Sequence, residues 1–246
     1  MTPISDILAE AGRVSDAVVA GNLDVRLTGG VAIGLQCPSA SKPPLKRHYA
    51  DIDLAGHARD RRKIVDLMSS LGYQPDYRFN AIHGAKRLLF WDPKNTRQVD
   101  VFLDLFEMCH RIDFSARLSL PGPTLALADL LLMKLQIFET NEKDLRDITA
   151  LLLDHPFGHD DSQINLPYIV NLVSNNWGLW RTTTIVGERA DQFARAIEGF
   201  QYAGVVHSRV QEFLAACDGA KKSTAWRLRA KVGDRVRWFN LPEEAH

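Results

Sequence analysis

Three aspartates and a pair of glycines carry the chemistry that this sequence can be read for. In Asp51-Ile52-Asp53-Leu54 two acids stand two residues apart in a short apolar run. If the run is extended, side chains alternate, so Asp51 and Asp53 project from one face while Ile52 and Leu54 enter a core. Carboxylates roughly 7 Å apart on one strand face repel each other unless a cation lies between them, and acids are depleted from strands in general. A hard divalent ion takes oxygen ligands, and magnesium is held by one or two carboxylates plus substrate phosphates. A third acid interrupts Gln98-Val99-Asp100-Val101-Phe102 in the same way. If that strand lies beside the first, three acids meet, as phosphoryl transfer with two ions about 3.5–4 Å apart requires. Asp104 shares the Asp100 face by period two, but it falls at the strand end and ranks behind.

Gly29-Gly30 lies where a strand passes into a helix. Missing β-carbons let a phosphate approach the backbone, and the free N–H groups of a helix start attract anions. Gly29-Gly30-Val31-Ala32-Ile33-Gly34 matches neither the dinucleotide fingerprint nor the P-loop, since no Lys-Ser/Thr follows. Taken singly, the acid pair is equally a solvated surface pair and the glycines an ordinary turn; their order along the chain is what joins them.

The elements that must hold these residues are legible from periodicity. Ser5 to Val19 reads as an amphipathic helix capped by Ser5, and Asp24 to Thr28 as a half-buried strand. Val31 to Leu35 begins a helix, Pro38 to Lys46 is a loop, Ala50 to Ala55 a short strand and Arg59 to Leu71 a helix. Lys86–Trp91 and Gln98–Leu103 form a hairpin around Asp92-Pro93-Lys94-Asn95. After Pro121-Gly122-Pro123 the character changes: Thr124 caps a long apolar helix to about Glu139, a second helix covers Glu142 to Leu153, and the chain beyond Pro156 is mainly helical. The fold expected is α/β (α+β), a mixed sheet flanked by helices followed by an α-helical C-terminal region, with domains at 1–120 and 121–246.

Composition sets the bounds. Hydrophobic residues make up 46% and charged residues 24% of 246, ordinary for a soluble globular chain with a sizeable core. Cys37, Cys109 and Cys217 are odd in number and far apart, which reads as reduced thiols. No apolar run reaches the ~18 residues of a membrane span, and the N-terminus lacks a signal-peptide pattern, so no membrane partner and a cytoplasmic location are expected. The formal net charge is zero. Between Lys221 and Trp238, however, seven basic residues (Lys221, Lys222, Arg227, Arg229, Lys231, Arg235, Arg237) face one acid, Asp234, with Trp226, Trp238 and Phe239 interleaved. The segment reads either as a grip for nucleic-acid phosphates and bases or as a solvated basic surface whose aromatics dock on the protein. His155-Pro156-Phe157-Gly158-His159-Asp160-Asp161 reads as a loop and not as a ligand set. His83, His110 and His207 have no partner visible in the sequence.

Leu27-Thr28-Gly29-Gly30, then Asp51-Ile52-Asp53-Leu54, then Val99-Asp100-Val101 together resemble the DNA polymerase β-like nucleotidyltransferase superfamily, over roughly Leu23 to Phe106. Leu132-Met133-Lys134 and Glu142-Lys143-Asp144-Leu145-Arg146-Asp147-Ile148 look like the helical part of the abortive-infection (AbiEii-like) nucleotidyltransferases and related toxins. The resemblance implies that Thr28, Gly29 and Gly30 bind the nucleotide, that Asp51, Asp53 and Asp100 are the catalytic and metal-binding residues for magnesium or manganese, and that Arg47 and Lys134 contact phosphate. It leaves open whether Asp100 is a ligand or a general base, and Lys134 reads equally as a lysine lying along the edge of a buried helix. The stretch from Gly30 to Asp51 is longer than in compact members of the superfamily. The reaction implied is transfer of a nucleoside monophosphate from a nucleoside triphosphate to an acceptor hydroxyl, with release of pyrophosphate. The acceptor stays open among RNA, protein and small molecules, RNA being possible through the Lys221–Arg237 segment. A catalytically silent nucleotide-binding regulatory module and a phosphohydrolase are the alternatives.

Overall fold

The computed structural model describes residues 2–241. The chain forms two compact units, one of residues 1–36, 48–106 and 112–126, the other of residues 37–47, 107–111 and 127–246. The first is built on a five-stranded sheet and the second is mainly helical.

In the first unit, helix α1 (Ile7–Ala20) opens on Asp6, whose carboxylate accepts from the Ala9 amide. The cap is therefore Asp6 and not Ser5, one residue later than the periodicity placed it. Strand β1 (Arg26–Thr28) runs straight into helix α2 (Gly29–Gln36), so the glycine pair is the first turn of that helix. Strand β2 (Ile52–Gly56), helix α3 (Arg61–Ser70), strand β3 (Gln74–Pro75) and helix α4 (Tyr77–His83) follow. Strands β4 (Arg87–Asp92) and β5 (Arg97–Leu103) form the expected hairpin. Its turn is fixed by Asp92, whose side chain accepts from the Lys94 and Asn95 amides. Strands β6 (Leu105–Glu107) and β7 (Arg111–Asp113) make a separate two-stranded ribbon.

The sheet order is β1-β2-β5-β4-β3. Only β2 and β5 are parallel; β1 pairs β2, β4 pairs β5 and β3 pairs β4 in antiparallel fashion. The register sorts the residues into rows. Leu27, Leu54, Val101 and Leu88 lie side by side, each no more than 1% exposed. The next row, one residue along, is Thr28, Asp53, Asp100 and Leu89, on the opposite face. A slip of one residue in β2 or β5 would drive an acid into the core, which is why this register is strongly specified.

Two sequence expectations need correcting here. Strand β2 begins at Ile52, so Asp51 precedes it and is exposed. The reason is local: β1 ends at the pair Thr28–Asp53, where Gly29 turns the chain into α2, and no β1 residue remains to pair further back. Thr124 does not cap a helix. It bridges to Leu27 and accepts from the Gln36 side chain, while the Leu125 amide donates to the Leu27 carbonyl, so the segment borders β1.

In the second unit, helix α5 is confined to Leu127–Leu135 and helix α6 (Glu142–Asp154) starts from an Asn141–Asp144 capping box. Strands β8 (Phe157–Gly158) and β9 (Ile164–Asn165) are a two-residue parallel pair that the sequence does not signal. Helices α7 (Leu166–Asn175), α8 (Trp177–Ala196), α9 (Ala203–Gly219) and α10 (Thr224–Val232) complete it. The segment expected as a loop, Pro38 to Lys46, contains a short 3-10 turn, Pro38–Ser41, and is held by α6: the Ser39 amide donates to Asp154 (2.8 Å) and Arg146 donates to the Lys46 carbonyl (3.0 Å). No helix among the described residues is long and apolar enough to cross a membrane.

Candidate functional site

Asp53 and Asp100 are direct register partners on the parallel pair β2–β5, and Thr28 faces Asp53 from β1. Nearly fifty residues of sequence separate the two acids, yet the ladder sets them shoulder to shoulder on one face. Gly29 follows at once with a φ of +65°, and a β-carbon built on it would lie 2.0 Å from Asp53 Oδ2. Only glycine allows both that backbone and that approach, so the first turn of α2 rests against the Asp53 carboxylate. Gly34, one turn further, is approached by Tyr49, whose hydroxyl would lie 2.5 Å from a β-carbon there. Tyr49 stands two residues before Asp51, so the close packing against α2 steers the chain entering β2.

Asp100 is 2% exposed and accepts two hydrogen bonds, from Arg87 Nε to Oδ1 and from Gln98 Nε2 to Oδ2, each 2.7 Å. The sequence reading missed both donors. A signal was present: hairpin pairing sets Arg87 opposite Phe102, diagonal to Asp100 on the same face. Asp104 works at the far end of the strands, accepting from the Ala58 amide (3.3 Å) and meeting His57 Nδ1 at 3.1 Å.

Among the described residues, no three His, Cys, Asp or Glu side chains close into a ready-made metal cage. The donor set is still of the right kind. Asp51 and Asp53 are oxygen donors on an accessible strand end, and magnesium characteristically takes one or two carboxylates, with water and substrate phosphates completing its shell. The place that a β-carbon of Gly29 would take is filled by the Asp53 carboxylate, so this acid lies directly against the backbone at the start of α2.

Arg47 and Lys134 lie in the second unit and meet at one acid. Arg47 grips Asp147 through Nε and Nη2, both at 2.7 Å, and the Lys134 ammonium lies 2.9 Å from both Asp147 and Asp144. Burial on its own would lower the Lys134 pKa, but the attraction of Asp147 and Asp144 outweighs it and holds the ammonium well above the ordinary lysine range.

The aromatic residues of the basic segment dock on the protein. Trp226 packs edge-on against Trp180 (5.1 Å), Phe239 stacks on Phe138 (4.1 Å), and Trp238 meets Trp177 (5.8 Å) while donating to Thr182 Oγ1 (3.0 Å). Arg229 lies over the Trp177 ring, and Asp234 is taken up by Arg181. Lys221, Arg227, Lys231, Arg235 and Arg237 remain exposed. The histidines also have company: His110 Nε2 meets Thr182 Oγ1 (2.8 Å), His207 meets Asp191 (3.0 Å), and the His83 ring lies 4.7 Å from Phe79.

No family model and no curated protein matches the chain. Solved structures similar to it include the lincosamide antibiotic adenylyltransferase LnuA bound to lincomycin, at 15% identity and a TM-score of 0.41 over 61% of this chain and 98% of that one. The antibiotic-resistance factor ANT(2'')-Ia is similar at 14% identity and a TM-score of 0.38, over 58% and 81%. JHP933 from Helicobacter pylori is similar at 10% identity and a TM-score of 0.42, over 93% and 99%.

Proposed function

We propose that the chain is a divalent-metal-dependent nucleotidyltransferase, moving a nucleoside monophosphate from a nucleoside triphosphate to an acceptor hydroxyl. The observation that carries this reading is the row Thr28–Asp53–Asp100, with Gly29 against the Asp53 carboxylate at the start of α2. Backbone N–H groups of Gly29 and Gly30 would hold the β- and γ-phosphates, since the helix start favours negative charge. Asp51 and Asp53 would hold magnesium or manganese, which when bound neutralises the phosphates and polarises the α-phosphorus. Asp100, kept in place by Arg87 and Gln98, would supply the third charge of the row. The acceptor oxygen attacks the α-phosphorus, the bond to the β-phosphate bridging oxygen breaks, its electron pair leaves with pyrophosphate, and the hydroxyl proton passes to solvent. The chain's contribution is positioning and fixed charge. The joining of Lys134 to Asp144 and Asp147 supports placing the chain near the AbiEii-like group, since it links the two stretches that carry that resemblance.

The test is release of pyrophosphate from labelled nucleoside triphosphates with magnesium and a panel of hydroxyl acceptors. Wild type is expected to transfer label, chelation by EDTA to stop it, and Asp53→Asn to reduce it at least about 100-fold, the order lost with a single preorganised charge contact. Equal transfer by Asp53→Asn would refute the assignment.

A further inference from the structure

Arg87 has a role that its pairing with Asp100 does not exhaust. Its Nε donates to Asp100 at 2.7 Å, but among the described residues no group accepts from its two terminal nitrogens. The guanidinium is flanked by Phe79 and Phe102, whose ring centroids lie 5.7 and 5.2 Å from Cζ, and its side chain is 26% exposed. Phe106 backs Phe102 at 4.8 Å. Aromatic flanks fix the plane of a guanidinium while leaving its outer edge available for a doubly accepting anion.

The strand order says which part of a reaction this edge would serve. In β1-β2-β5-β4, Gly29 lies on the β1 side of Asp53, and Arg87 lies on the β4 side of Asp100. Displacement at phosphorus is in line, so the attacking and leaving oxygens lie on opposite sides of the reacting atom. With the β- and γ-phosphates over Gly29–Gly30, pyrophosphate departs toward β1 and the acceptor must come from the side of β5 and β4.

We infer that Arg87 marks the acceptor side of the site and selects a hydroxyl compound that also carries an anionic group, such as a phosphate monoester. The inference rests on the nucleotidyl-transfer reading. It makes polycationic acceptors poor ones, because an ammonium group would meet the guanidinium edge. Arg87 is then a specificity-determining residue, distinct from the acids that hold the metal.

The experiment uses the full chain loaded with magnesium and a nonreacting α,β-methylene nucleoside triphosphate, and measures binding of glycerol phosphate and of glycerol as paired probes. Wild type is expected to prefer glycerol phosphate by about ten- to a hundredfold, the range of one charge-assisted pair. Arg87→Gln should erase the preference by weakening glycerol phosphate more than glycerol, and Arg87→Lys, which keeps the charge but not the fork, should retain part of it. A thermal melt reports whether each variant is folded, independently of the Asp100 carboxylate that Arg87 also holds. Equal binding of the two probes by wild type overturns the inference without any variant. Undiminished glycerol phosphate binding by a folded Arg87→Gln overturns it too, and both outcomes leave the nucleotidyl-transfer reading standing. Failure of wild type to bind any triphosphate with magnesium defeats that reading and this inference together.

Discussion

Gly29 and Asp53 are packed so closely that no other residue could replace the glycine without moving the acid: its β-carbon would fall 2.0 Å from the carboxylate oxygen. A contact of this kind ties the start of α2 to the middle of the β2 face, and so ties the proposed phosphate cradle to the proposed metal site.

Gly29→Ala is therefore expected to harm turnover more than folding. The positive φ costs about 1–3 kcal/mol for a residue with a β-carbon. Displacing Asp53 by about 1 Å is worth on the order of 100-fold in rate. Steady-state pyrophosphate release alongside a thermal melt separates the two, and full activity in a Gly29→Ala protein would contradict the packing.

Asp147 neutralises two cations of the second unit at once. Asp147→Ala takes this carboxylate from both Arg47 and Lys134, whose side chains are 13% and 16% exposed. Breaking a buried pair from one side costs about 3–5 kcal/mol. Urea unfolding should register a loss of that order, larger than for Asp144→Ala, whose removal leaves both cations on Asp147.

Acidification should weaken the fold through His110. Burial pushes its pKa from 6.5 down to about 4. Between these values the unfolded chain takes up a proton that the folded chain refuses, so stability is fully present above about pH 6.5 and is lost as pH falls toward 4. The total is about 3 kcal/mol at 1.36 kcal/mol per pH unit. From pH 7 to pH 4 the unfolding free energy of wild type should fall by about 3 kcal/mol relative to that of His110→Gln; parallel curves would rule the titration out.

Trp238 is expected to matter to stability and not to nucleic-acid binding. Its hydrogen bond to Thr182 and its packing on Trp177 and Phe138 are internal to the protein. Trp238→Ala should cost on the order of 2 kcal/mol, below the loss for a fully buried tryptophan. A variant with an unchanged melting temperature but lost retention on immobilised RNA would mean that the ring faces a ligand instead.

Part of the candidate site was legible because its signals are local. Period-two alternation places Asp53 and Asp100 on strands but wrongly includes Asp51, and hairpin chemistry announces the β4–β5 turn. The pairing of Asp53 with Asp100 was only conditional in the sequence, since no local rule states which strands become neighbours. Arg87 and Gln98 went unnoticed for the same reason: each becomes meaningful only once the register brings it to Asp100. The short α5 and the place of Thr124 beside β1 were hidden because an apolar run after a proline reads as helix, and pairing with Leu27 is decided by tertiary structure. The docked aromatics of the C-terminal segment follow a similar logic, since charge and ring content alone fit a solvent-facing grip as well as a packed one.

The Pro38–Lys46 segment carries a consequence for synthesis. It leaves the ribosome early, between α2 and β2, but its anchors on α6 come late: Arg47 and Asp147 are 100 positions apart. At roughly 5–20 residues per second, the strap waits about 5–20 s for its partners. Contacts of such long range slow folding. Through that interval Arg47 lacks the acid that holds it. Ordering of the strap is thus expected to follow the emergence of α6, so a nascent chain stalled before Asp147 should be cleaved by protease within 37–47 and one stalled well beyond it should be protected.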